Sequence, residues 1–137
     1  KLCPHTVKEA EDNDRVLPGH IYVAPGSFHL ELVRSGADFR LKLSDGDRVS
    51  GHKPSVDVLF RSVAKAAGPN AVAAILTGMG KDGAIGIQEI HHAGGYTIAQ
   101  DEDSCVVFGM PKEAIKLGAV EQVVALDEIP AVLMAWR

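Results

Sequence analysis

One carboxylate stands where chemistry could occur. The segment from Leu76 to Gly83 joins an apolar run at 71–76 to a helical pattern, and its single acid is Asp82. Asp82 thus follows the carboxyl end of a buried strand, the edge of an α/β sheet where ligands bind. A carboxylate held by helix-end amides there stays ionised and oriented. We predict that Asp82 faces a cleft as the acid of a nucleophile–histidine–acid triad; alternatively it only caps the next helix.

The glycines of the same turn permit a second interpretation. Gly78, Gly80 and Gly83 satisfy the G-x-G-x-x-G pattern between a strand and a helix, and an acidic cluster at 101–103 follows the next predicted strand. This arrangement is typical of nucleotide-binding oxidoreductase domains, in which a pyrophosphate binds at the helix N-terminus. Asp82 would put a negative charge in that place, which argues against the interpretation. It is kept as an alternative.

The histidines show no spacing typical of a metal site or of a nucleophile–base pair. Two are adjacent on a predicted helix, where neighbouring side chains diverge. Three others lie in the loop-rich first half of the chain. These five residues are His91, His92, His20, His29 and His52. We predict neither a metal nor a cofactor.

The serines and cysteines are predicted to be structural. Ser55 precedes a helical pattern as an N-cap, and Ser104 has no histidine at a suggestive spacing. Cys3 and Cys105 lack the C-x-x-C spacing, so both are expected to be buried free thiols, with one disulfide between them as the alternative.

Hydrophobic periodicity places these residues on an α/β framework. Strands are predicted at 6–10 and 21–24, with an antiparallel hairpin at 30–33 and 39–43. From Ser55 onward helices alternate with strands, which implies a parallel sheet with helices on both faces. Asp127 is predicted to cap a C-terminal helix whose apolar stripe includes Leu133 and Trp136.

Length and charge exclude several classes of protein. The 137 residues fit one domain, with 46% hydrophobic residues and a net charge of −4. A binder of duplex nucleic acid would present a basic face, which this sequence lacks. No apolar run is long enough to span a bilayer, so no membrane insertion is expected.

Four blocks of sequence, at 16–26, 52–60, 75–83 and 104–111, resemble in order the catalytic domain of the chemotaxis response-regulator protein-glutamate methylesterases, the CheB family. The resemblance implies a doubly wound α/β fold with a mostly parallel sheet and a β-hairpin insertion. It also implies a cytoplasmic hydrolase that releases methanol from glutamate methyl esters on chemoreceptor helices. Some members also deamidate receptor glutamines.

The resemblance assigns roles to a few residues. Asp82 matches the family's catalytic aspartate, and Met79, with Gly80, matches active-site lining. Phe108 and Met110 are candidates for a substrate groove. The family's serine and histidine, and the receiver domain phosphorylated by the chemotaxis histidine kinase, have no counterpart here. We therefore expect residues 1–137 to form an N-terminally truncated catalytic domain, inactive alone. A non-catalytic receptor-docking module is a further alternative.

Overall fold

The periodicities of the sequence give seven strands and four α-helices in the computed structural model, which describes residues 4–136. The strands are β1 (Thr6–Glu9), β2 (His20–Val23), β3 (His29–Ser35), β4 (Asp38–Ser44), β5 (Val72–Ile75), β6 (Tyr96–Gln100) and β7 (Gln122–Val124). The helices are α1 (Val56–Ala66), α2 (Ala84–His92), α3 (Met110–Lys116) and α4 (Ile129–Ala135). No helix within the described range has the length and apolar character needed to cross a bilayer.

The alternation of helices and strands after residue 55 builds a parallel sheet. β5 pairs with β6 and β6 with β7, so the strand order is β5-β6-β7. Parallel neighbours need a long crossover, and α2 and α3 supply the two crossovers. Because the strands run parallel, the turn at 76–83 and the loop at 101–109 leave the sheet from the same edge.

Both faces of β5 are covered. Ala73 and Ile75 lie in a core formed with α1, α2 and α3. Val72 and Ala74 contact a second cluster, which contains Ile129 of α4. This two-sided burial explains why the strand reads as a continuous apolar run without polar alternation. The prediction of helices on both faces is confirmed.

The first part of the chain adds the predicted hairpin and a further parallel pair. β3 and β4 are antiparallel, with Leu32 opposite Leu41, and Gly36 adopts a φ of 63° in the turn between them. β1 and β2 pair in parallel. The α/β class with mostly parallel strands is confirmed, but within residues 4–136 the parallel strands fall into two sheets that share no hydrogen-bonded strand.

The C-terminal helix departs from the prediction at both ends. A 3₁₀ turn at Leu126–Glu128 comes first, and Glu128 holds the N-cap position of α4 without a side-chain capping bond. The predicted Asp127 cap is therefore wrong, because the extra turn moves the start of the helix. Trp136 follows the helix and stacks on Tyr96 with ring centroids 4.7 Å apart. Leu133 remains 37% exposed, so it is not core.

Candidate active site

Asp82 is buried, and its carboxylate accepts three hydrogen bonds from the start of α1. Ser55 Oγ donates to Oδ1 at 2.8 Å, the amide of Asp57 donates to Oδ1 at 3.1 Å, and the amide of Val56 donates to Oδ2 at 2.8 Å. The first amides of a helix have no partner within the helix and carry its positive dipole end. Asp82 satisfies two of them, and they in turn fix the orientation of its carboxylate.

This geometry corrects one sequence-based expectation. Asp82 does not cap the helix that follows it, because Gly83 occupies the N-cap position of α2 without a side-chain capping bond. The amides come from α1, which precedes Asp82 in the chain. Asp82 is also only 4% exposed within residues 4–136. The cleft predicted beside it is one that further sequence would complete, so its role in a triad stays a prediction. The sequence indicated a carboxylate fixed by a helix end but not which helix fixes it.

Gly83 makes this placement possible. Its φ of 94° is a conformation that residues with a side chain rarely adopt. A Cβ there would also lie 2.9 Å from Val56 Cγ1 and 3.1 Å from Ile75 Cδ1. The glycine therefore lets the turn bring Asp82 against the start of α1.

His29 supports the site, a role that the sequence analysis did not give it. Its ring is only 3% exposed. Nε2 donates to the carbonyl oxygen of Asp47 at 2.7 Å, and Nδ1 accepts the amide N–H of Ser55 at 3.2 Å. These partners assign the neutral tautomer that carries its proton on Nε2. Ser55 is at the predicted N-cap position, but its hydroxyl bonds Asp82 in place of the helix amides. Contacts between residues so far apart in the chain leave no local sequence signal.

Asp57 is a second buried acid that the sequence reading missed. It is 3% exposed, and its Oδ1 accepts the amide N–H of Gly86 in α2 at 2.8 Å. A Cβ on Gly86 would lie 2.6 Å from Phe60 Cβ, so a glycine is needed for the close approach of α1 and α2. Asp57 thus fixes the helix whose amides hold Asp82.

The glycine turn is joined to the loop before α3. The amide of Gly78 donates to the carbonyl of Val107 at 3.0 Å, and the amide of Gly109 donates to the carbonyl of Gly78 at 3.1 Å. A Cβ on Gly109 would lie 2.7 Å from Gly78 O. Two loops from neighbouring strands therefore make one rigid ridge at the carboxyl edge of the sheet.

The predicted lining residues occupy different places around this ridge. Met79 is 78% exposed and Gly80 is exposed with a φ of 95°. Phe108 and Gly80 line a cavity of about 590 Å³ beside the turn. Met110 is packed against the core, so within the described residues it does not line this cavity. Asp82 is likewise absent from the cavity lining.

Ser104 and Asp101 are engaged in a local turn. Asp101 Oδ1 accepts the amide of Ser104 at 3.0 Å and its hydroxyl at 2.6 Å. The Ser104 hydroxyl also accepts the amide of Leu126 at 3.0 Å. The Asp101 carboxylate is thus hydrogen-bonded within the protein, whereas an acid that binds a ribose would have its carboxylate free for the ligand. Ser104 has no imidazole among its hydrogen-bond partners in residues 4–136.

The remaining reactive side chains form no metal site. No group of three or more histidine, cysteine or acidic residues within the described range could hold a metal ion. Cys105 is a free thiol, and burial raises its pKa, with the charges of Asp101 and Glu102 acting in the same direction. Cys3 lies outside the described residues. His91 Nδ1 lies 3.3 Å from Glu121 Oε1 but not in hydrogen-bonding geometry.

Comparison with known proteins identifies the family. A sequence model described as CheB methylesterase matches residues 1–133. The chain belongs to the CheB methylesterase family. The crystal structure of the Thermotoga maritima CheB methylesterase catalytic domain superposes with a TM-score of 0.90 and 41% identity, covering 93% of this chain and 67% of that one. The α/β fold described above is therefore the CheB catalytic-domain fold.

The names of longer relatives state two activities. A protein-glutamate methylesterase/protein-glutamine glutaminase from Pectobacterium atrosepticum is 63% identical over 135 residues, and one from Salmonella typhimurium is 60% identical over 135 residues. Each match covers 98% of this chain but 39% of the relative. Membership of this hydrolase family disfavours the dinucleotide-binding interpretation of the glycine turn, in which Gly78 and Gly83 serve close contacts with helices α3 and α1.

Proposed function

We propose that this chain is part of a protein-glutamate methylesterase in which Asp82 is the acid of a Ser-His-Asp triad. The nucleophilic serine and the histidine are supplied by sequence outside these 137 residues. The substrates are glutamate methyl esters on the cytoplasmic helices of methyl-accepting chemotaxis receptors, with glutamine deamidation as a related activity. The protein acts in the cytoplasm, and a receiver domain phosphorylated by the chemotaxis histidine kinase controls it.

The hydrogen bonding of Asp82 carries this proposal. A carboxylate offers about four acceptor positions, and the start of α1 fills three of them. Oδ2 accepts one bond, so an acceptor position remains for the N–H of an imidazole. A buried acid with fixed orientation is what a triad requires, since it selects the tautomer of the histidine and stabilises the imidazolium.

The chemistry then follows that of acyl transfer. The histidine takes the proton of the serine hydroxyl as the serine oxygen attacks the ester carbonyl, and Asp82 stabilises the resulting imidazolium. Collapse of the tetrahedral intermediate expels methanol, which receives the proton from the imidazolium. Water then hydrolyses the acyl-enzyme to free glutamate. No metal or cofactor takes part in this sequence of steps.

Methanol release from methylated receptor tests the proposal. We expect activity from a full-length protein that contains this sequence and none from the 137-residue chain, because nucleophile and base lie outside it. The same receptor incubated with the chain plus the separately produced N-terminal remainder provides a reconstitution control. Methanol release by the chain alone would contradict the proposal.

A further inference from the structure

The hydroxyl of Ser55 has an unusual hydrogen-bond partner for a residue at an N-cap position. At an N-cap position a serine oxygen ordinarily accepts an amide of the first helical turn. Here Ser55 makes no such bond, and its hydroxyl donates to Asp82 Oδ1 at 2.8 Å. Ser55 is 2% exposed, so water does not compete for this bond. Within residues 4–136 it is the only side chain that hydrogen-bonds Asp82.

The backbone of Ser55 is fixed from the other side. Its amide N–H donates to Nδ1 of His29, whose Nε2 donates to the carbonyl of Asp47. Both ring nitrogens of this buried imidazole are therefore used, and the ring cannot turn without losing a bond. The start of β3 and the loop at Asp47 are thus joined to the start of α1 at Ser55, whose hydroxyl bonds the Asp82 carboxylate.

The two oxygens of Asp82 are consequently unequal. Oδ1 accepts both Ser55 Oγ and the amide of Asp57, whereas Oδ2 accepts the amide of Val56 alone. The open acceptor position is on Oδ2. Without the Ser55 hydroxyl each oxygen would have one amide donor, and the carboxylate could offer either oxygen to an approaching N–H.

We propose that Ser55 is a positioning residue for the esterase reaction, which selects Oδ2 of Asp82 as the oxygen that receives the histidine N–H. The inference rests on the proposed triad role of Asp82. Ser55 acts through Asp82 and does not touch the substrate. Misalignment of a catalytic group by about 1 Å can lower turnover by about a hundredfold, so the contribution of Ser55 lies in kcat and leaves substrate binding unchanged.

The test uses three serine variants in the full-length protein. Ser55→Ala removes the hydroxyl, and we expect kcat for methanol release to fall by about 10- to 100-fold with KM changed less than about twofold. Ser55→Thr keeps the hydroxyl and should restore kcat to within a few-fold of wild type. Ser62→Ala is the matched control, because the Ser62 hydroxyl on the same helix bonds Leu59 O at 2.7 Å and Leu32 N at 2.8 Å, away from Asp82.

Two kinetic outcomes would overturn the inference. One is a kcat for Ser55→Ala within twofold of wild type. The other is an equal loss of kcat in Ser55→Ala and Ser62→Ala, since that would make Ser55 a contributor to folding only. A wild-type protein that releases no methanol, or an Asp82→Asn variant that keeps its turnover, would instead contradict the proposed function.

Nuclear magnetic resonance of the full-length protein distinguishes failure of this inference from failure of the proposed function. The amide protons of Val56 and Asp57 report on the Asp82 carboxylate that they bond. We expect Ser55→Ala to shift both resonances, Ser55→Thr to return them towards wild type and Ser62→Ala to leave them unchanged. Unshifted Val56 and Asp57 amides in Ser55→Ala would show that Ser55 does not orient the carboxylate, whatever the reaction.

Discussion

The carboxylate of Asp82 performs for α1 the task that an N-cap side chain performs from within a helix. It accepts the amides of Val56 and Asp57, and it also accepts the hydroxyl of the residue that holds the N-cap position. Burying a charge is costly unless hydrogen bonds replace water, and three donors do so here. The same bonds that stabilise the helix therefore hold the acid in one fixed orientation.

Removing this carboxylate should destabilise the fold. In Asp82→Ala two buried amides and the Ser55 hydroxyl lose their acceptor, so we expect the free energy of unfolding to fall by about 2–4 kcal/mol. Urea denaturation followed by circular dichroism measures this change. Asp103→Ala is the control, because Asp103 is exposed and makes no hydrogen bond within residues 4–136. Equal stability of the two variants would mean that Asp82 does not anchor α1.

Sequence reading at this scale identified the acid but not its surroundings. The order strand, glycine turn, helix placed Asp82 at the correct edge of the sheet. Three residues that surround the acid lie 25 to 53 positions before Asp82 in the chain, and no sequence periodicity connects them with it. They are His29, Ser55 and Asp57. A contact of this kind is determined by the packing of α1 on α2, which the sequence pattern does not specify.

At the scale of elements, the close approach of two loops shapes the ridge beside the glycine turn. Gly109 has a φ of −82°, so its conformation does not demand glycine. Glycine is needed at position 109 because there is no room for a side chain: a Cβ would lie 2.7 Å from Gly78 O and 3.1 Å from Gly80 N. Both neighbours are backbone atoms and cannot rotate away as a side chain could. The hydrogen bonds between the loops would have to lengthen.

A single methyl group tests this packing. We expect Gly109→Ala to lower the free energy of unfolding by about 1–3 kcal/mol through overpacking. Gly26→Ala is the matched control, since a Cβ there meets nothing within 4 Å, and its expected effect is small or slightly stabilising. Thermal unfolding of both variants provides the comparison. A Gly109→Ala protein as stable as Gly26→Ala would show that the two loops can separate freely.

The loop after β1 supplies a pH-dependent element. The Asp14 carboxylate accepts the amide of Glu11 at 2.9 Å and lies 2.9 Å from Lys8 Nζ. The Glu11 amide first, and then Lys8, hold the pKa of Asp14 below its ordinary value. Folding thus favours the ionised form, so its stabilisation is present above the unfolded pKa and is lost as the pH falls through the lower folded pKa.

Substitution of Asp14 should therefore lower the stability of the protein only at pH values at which the Asp14 carboxyl is ionised. We expect Asp14→Asn to lower Tm at pH 7 by no more than a few degrees, because the pair is at the surface. The difference in Tm between Asp14→Asn and the wild type should become smaller as the pH falls below about 4. Calorimetry across pH 2–7 measures it, with Asp103→Asn as control. A difference that grows on acidification would contradict the assigned sign.

Most elements were predictable because each has a local cause. The apolar stripe of α1, the alternation in β3 and β4 and the uniform run of β5 all follow from which faces are buried. The prediction that Asp127 caps the C-terminal helix was wrong because a 3₁₀ turn and the start of an α-helix share the same local sequence signals. The separation of the parallel strands into two sheets is a matter of long-range pairing, which local patterns do not encode.

At the scale of the whole molecule, Asp82 and the residues that hold it lie together within one part of the chain. The chain spans 39% of its full-length relatives and matches a solved catalytic domain with a TM-score of 0.90. The residues that hold Asp82 come from β3, the loop at Asp47, α1 and α2, all within residues 4–136. In the proposed triad, the chain would contribute this preformed acid and sequence outside it would contribute the nucleophile and the base.

The most direct test is the turnover of Asp82→Asn in the full-length protein, measured as methanol released from methylated receptor. By analogy with other triads, we predict a loss of about 10⁴-fold in kcat. Asp57→Asn is the matched control: it alters a buried acid of the same network, bonded to Gly86, and should lose far less activity at equal folded fraction. A loss below tenfold for Asp82→Asn, or equal losses in both variants, would contradict the account.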